Sequence, residues 1–389
     1  MNIMKLDPYK HKEKYIAWKK SIESTGIGGI NKENSKIILR YIGDMEIGIN
    51  VSLQSKKGSR SYITLNNIKQ RLSFLANLIE SRLPVKCLTE LTEEQIFQFF
   101  NDMRTGAIKR LDGNTYQSPT DYIRIFKAFW HWWQKVNKKA GKDVGDITFD
   151  LDTHQDKPKW VYLTENEVRQ LCDSAKYNHK ILYMFLFDTG VRSPTELMNI
   201  KVSDLYNDCK ELQIRQETSK TFGRKIKLML CTTLLREYIK IKGLQQEDYL
   251  FKISPTVTNK YLKRLAGKLF GDKASPAGAK YSQMTMYDFR HCSCCYWLPR
   301  YKSESALKYR FGWKKSDKIH YYSELLGMKD TISEDDMLLD LTKTEIEKRL
   351  EKSEKDKEIL SERLISLEKD LNKLKQQSFE VLKNFSANN

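Results

Sequence analysis

At 389 residues the chain exceeds one average core, so two or three domains are expected. Its 40% hydrophobic and 11% aromatic residues exclude a globally disordered chain. Lys and Arg number 68 against 50 acids, a formal charge of +18; residues 342–389 hold 11 bases and 10 acids, so nearly all the excess precedes them. A basic body of this kind suits a polyphosphate partner, through release of condensed counterions.

The longest apolar run, Ile181–Phe187, is far too short to span a membrane, and the charged N-terminus has no apolar signal core. A soluble, cytoplasmic protein is expected. The seven cysteines include Cys292, Cys294 and Cys295 beside His291, but no second distant pair completes a zinc pattern. They read as small buried side chains or free thiols in a reducing compartment, and no metal or cofactor is expected.

Helical patterns occupy Tyr9–Ser24 and Lys32–Met45, the second capped by Asn31 or Asn34. From Tyr62, apolar residues recur at helical spacing (Ile63, Ile68, Leu72, Leu75, Leu78, Ile79) and stop before Pro84. Thr92 and the acids after it start another helix. SPTDYIRIFKAFWHWWQKVNKK makes a long one whose Tyr122, Phe126, Phe129 and Trp133 share a face, which reads as core rather than a base-stacking platform. Residues 140–160 break all periodicity and mark a domain boundary. Beyond it, Thr164 and Glu167 form a capping box, and a buried helix, HKILYMFLFDTG, leads to Arg192. ELQIR and RKIKLML read as strands about the turn SKTFG. Helices resume at Thr232–Gly243, Thr256–Leu269 and from Met286. Past Asp340, Ile346, Leu350, Leu360, Leu364, Leu367, Leu371, Leu374 and Val381 follow alternating steps of four and three, with Ser353 and Lys357 filling two seam positions. That is coiled-coil spacing, and it favours self-association or a partner helix.

The richest stretch runs from Met284 to Gly327: an Arg290-His291 pair, then Gly312-Trp313, then Tyr321-Tyr322, with Tyr322 nine residues after the tryptophan. Two arginines, a lysine and a tyrosine suffice for phosphodiester chemistry without a metal. The arginines hold phosphate oxygens and the tyrosine attacks.

With these residues in view, the chain resembles the tyrosine recombinases over about residues 30–330. Its helical half, LTELTEEQIFQFFND followed by SPTDYIRIFKAFWHWW, looks closest to archaeal integrases. The resemblance implies a mainly α fold with a small β-hairpin sheet: a helical, SAM-like core-binding domain plus a tyrosine-recombinase catalytic domain, followed by the C-terminal coiled coil. The divisions read as an N-terminal helical arm over 1–60, a core-binding domain over 61–139 (or from near 30), a linker over 140–159, a catalytic domain over 160–340 and a coiled-coil tail over 341–389.

Carried onto this sequence, DTGVR supplies the first catalytic arginine, Arg192, with Glu196 as its supporting acid. ETSKTFGRK supplies the lysine, Lys220, with Lys225 as competitor. YDFRH supplies Arg290, with His291 in support; FGW and the following tyrosine supply Trp313 and Tyr322. Three departures stand out. The arm SPTEL is one residue longer than the commonest form, Tyr287 stands where the family usually has His or Lys, and Trp313 replaces the commoner His.

The resemblance therefore implies a site-specific recombinase or integrase that cuts and rejoins double-stranded DNA through a 3′-phosphotyrosyl link. It would work as a homo-oligomer, a dimer on a site and a tetramer in the synapse. The rival readings are a type IB topoisomerase-like enzyme and a catalytically impaired DNA-binding relative.

Overall fold

Asn31, Ser61, Thr92 and Thr164 each accept a backbone N–H from the third residue on, and each begins a helix in the computed structural model of the chain. The structure describes residues 6–51, 57–154, 157–301 and 303–326, with isolated helical positions between 353 and 368. The chain divides into two compact units, Met1–Ile319 and His320–Asn389. Of the predicted coiled-coil seam, Ser353, Lys357, Leu360, Leu364 and Leu367 are described and helical, while Ile346, Leu350, Leu371, Leu374 and Val381 lie outside the described residues.

The first unit opens with α1 (His11–Ser21), α2 (Lys32–Ile47), α3 (Tyr62–Glu80), α4 (Glu93–Thr105) and α5 (Pro119–Lys139). Their apolar faces meet in one core that runs from Tyr15 to Leu151. The aromatic face of α5 is part of that core: Phe126, Phe129, Trp130 and Trp132 are buried, and Tyr122 and Trp133 pack on its edge. The indole N–H of Trp132 is satisfied by Asp44, 2.7 Å away on α2, as a buried tryptophan requires. The aperiodic segment after α5 folds back along it. Trp130 donates to the Gly145 carbonyl, Gln134 to that of Val144, and His131 pairs with Asp146.

The chain then forms α6 (Glu165–Ser174) and α7 (Tyr177–Thr189). Every residue of α7 from Ile181 to Thr189 is buried, as expected of a helix apolar on all sides, and it packs against α6 and the later α10 (Asp288–Trp297). A three-stranded antiparallel sheet follows, in the order β1 (Leu205–Tyr206), β2 (Glu211–Ile214), β3 (Arg224–Lys227). The predicted second strand is shorter than expected. The N–H groups of Met229, Leu230 and Cys231 are captured by the buried Asp188 carboxylate at 2.7–3.1 Å, so the backbone leaves the ladder after Lys227. The short strand β1 carries no sequence signal of its own. Helices α8 (Thr232–Lys242), α9 (Pro255–Phe270) and α11 (Glu304–Phe311) complete this part, and α12 (Asp317–Leu325) carries Tyr321 and Tyr322 in the second unit. Among the described residues no helix is long and apolar enough to cross a membrane.

Candidate active site

Gly190 ends α7 in the left-handed conformation, φ +61°. A Cβ there would lie 2.3 Å from the Phe311 ring, so only glycine admits that ring. The chain then presents Arg192. Its backbone N–H donates to Glu196 Oε2 (3.0 Å), Nη1 to Glu196 Oε1 (2.6 Å) and Nη2 to the Gly312 carbonyl (3.0 Å). The SPTEL arm thus brings Glu196 back onto the arginine four residues before it. Arg192 keeps 12% of its side chain exposed, whereas Glu196 keeps none.

Arg290 lies in the first turn of α10 and is buried. Its terminal nitrogens donate to the carbonyls of Gly190 and Phe311, and its guanidinium lies 5.4 Å from the Phe311 ring centre and 5.9 Å from that of Trp313. Burial, and then the charge of Arg192, pull it below the usual arginine range. Arginine stays protonated at neutral pH regardless. The two arginines therefore rest on consecutive carbonyls, Phe311 and Gly312, of the turn just before Trp313. Trp313 stacks on Phe311 at 4.9 Å.

The turn between β2 and β3 is tied to the same place. Ser219 Oγ donates to Glu196 Oε1 (3.3 Å), and Thr221 Oγ1 donates to the Gly312 carbonyl (2.9 Å). Lys220, between them, is exposed at the edge of the site. Lys225 occupies an exposed position of β3, and its ammonium sits 5.3 Å from the Tyr206 ring centre. Strand alternation explains the difference: Arg224 and Ile226 point inward, Lys225 and Lys227 outward.

Tyr287 is the residue at the start of α10, with its side chain partly exposed, and its ring meets that of His291 edge-on at 5.3 Å. His291 in turn stacks on Trp160 at 4.7 Å. Tyr322 lies on α12 and packs edge-to-face against Tyr321 at 5.2 Å. Cys292 takes up the Leu163 N–H, and burial pushes the thiols of Cys292 and Cys294 far up. Among the described residues no group of three His, Cys, Asp or Glu side chains is arranged to hold a metal.

One site residue escaped the sequence reading. Arg224 is wholly buried and grips Glu196 with both terminal nitrogens, Nη2 to Oε2 at 2.8 Å and Nη1 to Oε1 at 3.2 Å. Its signal was available: it is an arginine on the inward register of an otherwise apolar strand face, where Leu212, Ile214 and Ile226 are buried. Burial pushes the Glu196 carboxyl up, but the hydrogen bonds and charge of Arg224, then the charge of Arg192, outweigh it and hold the group at about 2.

Paired guanidiniums on one turn, with an exposed ammonium at the rim, form an anion clamp suited to a phosphodiester. The comparisons agree with that class of protein. Residues 161–327 match the model of the phage integrase family. No curated protein matches the chain. Among solved structures, the Tn1549 transposon integrase in complex with circular intermediate DNA is 16% identical, covering 76% of this chain and 98% of that one, with a TM-score of 0.53. A lambda integrase dimer bound to a COC′ core site is 16% identical over 83% and 88%, TM-score 0.54. A XerH recombinase bound to palindromic difH is 13% identical over 72% and 80%, TM-score 0.51. At these identities the likeness is one of fold. Residues 161–327 carry the phage-integrase-family match, and that match supports an enzyme that breaks and rejoins DNA strands.

Proposed function

We propose that the enzyme cleaves and rejoins duplex DNA at specific sites through a 3′-phosphotyrosyl intermediate on Tyr322. The observation that carries this reading is the seating of Arg192 and Arg290 on the adjacent carbonyls of Phe311 and Gly312, ahead of Trp313 in the chain. Two guanidiniums fixed to one turn converge on the non-bridging oxygens of a single phosphate and stabilise the charge of the five-coordinate phosphorane. A tyrosine is a poor nucleophile at its ordinary pKa of about 10, so the attack relies on the arginine pair to stabilise the charge that develops on the phosphate.

Lys220 protonates the leaving 5′ oxygen, because its neighbours Ser219 and Thr221 tether the turn to the arginine cluster while its own side chain stays exposed. Trp313 packs behind Arg290, and Glu196 holds Arg192. Tyr287 and His291 border the helix that presents Arg290; with its phenol in place of His or Lys, Tyr287 serves as a hydrogen-bonding neighbour of the phosphate. The helical half, residues 61–139 in our reading and closest to archaeal integrases, closes over the opposite face of the duplex. The protein acts as a dimer on each site and a tetramer in the synapse.

The test is a nicked duplex that loses its 5′ leaving strand by diffusion and so traps the covalent complex. The native protein should give an adduct mapping to Tyr322, Tyr322→Phe none, and Tyr321→Phe a normal yield. Adduct on Tyr321 instead would overturn the assignment of the nucleophile, and no adduct with the native protein would overturn the mechanism.

A further inference from the structure

Glu196 poses an electrostatic difficulty. A carboxylate 2.6 Å from Arg192 orients the guanidinium but also cancels its charge, and charge is what a phosphate clamp needs. Arg224 faces the same carboxylate from the other side. Its Nη1 and Nη2 take both oxygens, its Nε donates to the Arg310 carbonyl at 2.8 Å, and neither Arg224 nor Glu196 has any side-chain exposure. With its donors so engaged and its guanidinium closed off, Arg224 does not reach a substrate. Gly312 lies directly over it: a Cβ there would come within 3.0 Å of Arg224 Nη1, while the Gly312 carbonyl holds Arg192.

We propose that Arg224 is a positioning residue that neutralises Glu196, so that Arg192 is held by a carboxylate yet presents an uncompensated positive charge to the scissile phosphate. The inference rests on the clamp role given above to Arg192. Arg192 and Arg224 both contact the Glu196 carboxylate, and Arg290 rests on the carbonyl next to the one that holds Arg192, so three guanidiniums and one carboxylate leave two net positive charges; without Arg224 a single one remains. The low ionisation range of Glu196 keeps that carboxylate charged at every working pH, so its compensation is permanent. Stability alone does not explain the arrangement, because a buried ion pair is commonly replaceable by apolar side chains of similar volume without loss.

The experiment compares single-turnover adduct formation on the nicked duplex, and DNA affinity, for the native protein, Arg224→Met, Arg224→Lys and Arg224→Met/Glu196→Gln. Loss of one net charge from a poorly screened site should slow adduct formation by on the order of 10²-fold in Arg224→Met, with DNA affinity changed less than about threefold. The double variant removes the surplus negative charge with the positive one, and should regain at least about tenfold over Arg224→Met. Arg224→Lys keeps the charge and should lie between. A purely structural role predicts the opposite, a double variant as slow as or slower than Arg224→Met, and that result overturns the proposal, as does native speed in Arg224→Met. If Arg224→Met does not fold, Arg224→Lys carries the decision: a rate as low as that of Arg192→Ala would reject charge compensation. Absence of adduct from the native protein would instead reject the recombinase mechanism on which the inference stands.

Discussion

Arg192 and Arg290 sit on the same turn but carry different structural duties, and this separates their expected variants. Gly312, which accepts from Arg192, also accepts from Thr221, and Glu196 keeps Arg224; Arg192→Ala therefore orphans little. Arg290→Ala strips the Gly190 and Phe311 carbonyls of a buried donor, each costing about 1–3 kcal/mol. Both variants should slow cleavage by on the order of 10²-fold or more, but only Arg290→Ala should also show a clearly lower unfolding temperature. Equal melting curves would contradict the buried seating of Arg290. Lysine at either position should recover little of the rate, since an ammonium has no fork to share between carbonyl and phosphate. For Lys220, replacement by Ala should slow cleavage of ordinary DNA, while a substrate with sulfur at the bridging 5′ position, whose thiolate leaves without a proton, should restore it. If that substrate restores Lys225→Ala and not Lys220→Ala, the acid is Lys225. Motif and spacing single out Arg192, Arg290, Trp313 and Tyr322 in the sequence. They do not single out Arg224, because its meaning depends on a partner twenty-eight residues earlier in the chain.

Elements built from local signals were read correctly and those built from distant contacts were not. The helix start at Thr92, the capping box at Thr164, the aromatic face of α5 and the all-apolar α7 lie in contiguous sequence, and the helices follow them closely. The premature end of β3 instead depends on Asp188, forty-one residues before Met229, which takes three successive N–H groups. Gly190 is the joint between these kinds of information. It is a local helix stop, yet its missing Cβ makes room for Phe311, and its carbonyl anchors Arg290. Gly190→Ala should therefore be far worse than an ordinary C-cap substitution. It strains a φ of +61° and forces the Phe311 ring aside, so a loss of roughly 2–4 kcal/mol is expected in denaturant unfolding at pH 7. The same change at Gly243, which also ends a helix at positive φ but has open space where its Cβ would go, should cost only about 1 kcal/mol. Similar losses at the two positions would mean that the Phe311 contact carries no weight.

At the scale of the whole molecule, the basic excess lies in residues 1–341 and the tail is nearly neutral, so DNA affinity is expected from the former and protein contacts from the latter. Leu360, Leu364 and Leu367 are helical and 60–64% exposed, which is more apolar surface than a solitary helix gains by showing to water. Their spacing continues through Leu371 and Leu374 to Val381, so the covering surface we expect is the same seam of a second copy. Ser353 and Lys357 interrupt that seam at consecutive core positions. A lysine is costly to bury, so pairing should be weak before Leu360 and firm after it. With 11 bases against 10 acids, the tail should add little direct affinity for DNA. Truncation after Asp340 should therefore leave adduct formation on a single nicked site within about threefold of native, while lowering the assembly state in sedimentation and the yield of paired-site recombination by about tenfold or more. Replacing Leu364, Leu367 and Leu371 with Ala should reproduce the truncation, whereas Ser353→Leu with Lys357→Leu should strengthen association. A truncated protein that sediments and recombines like the full chain would mean that the leucine seam serves some other partner.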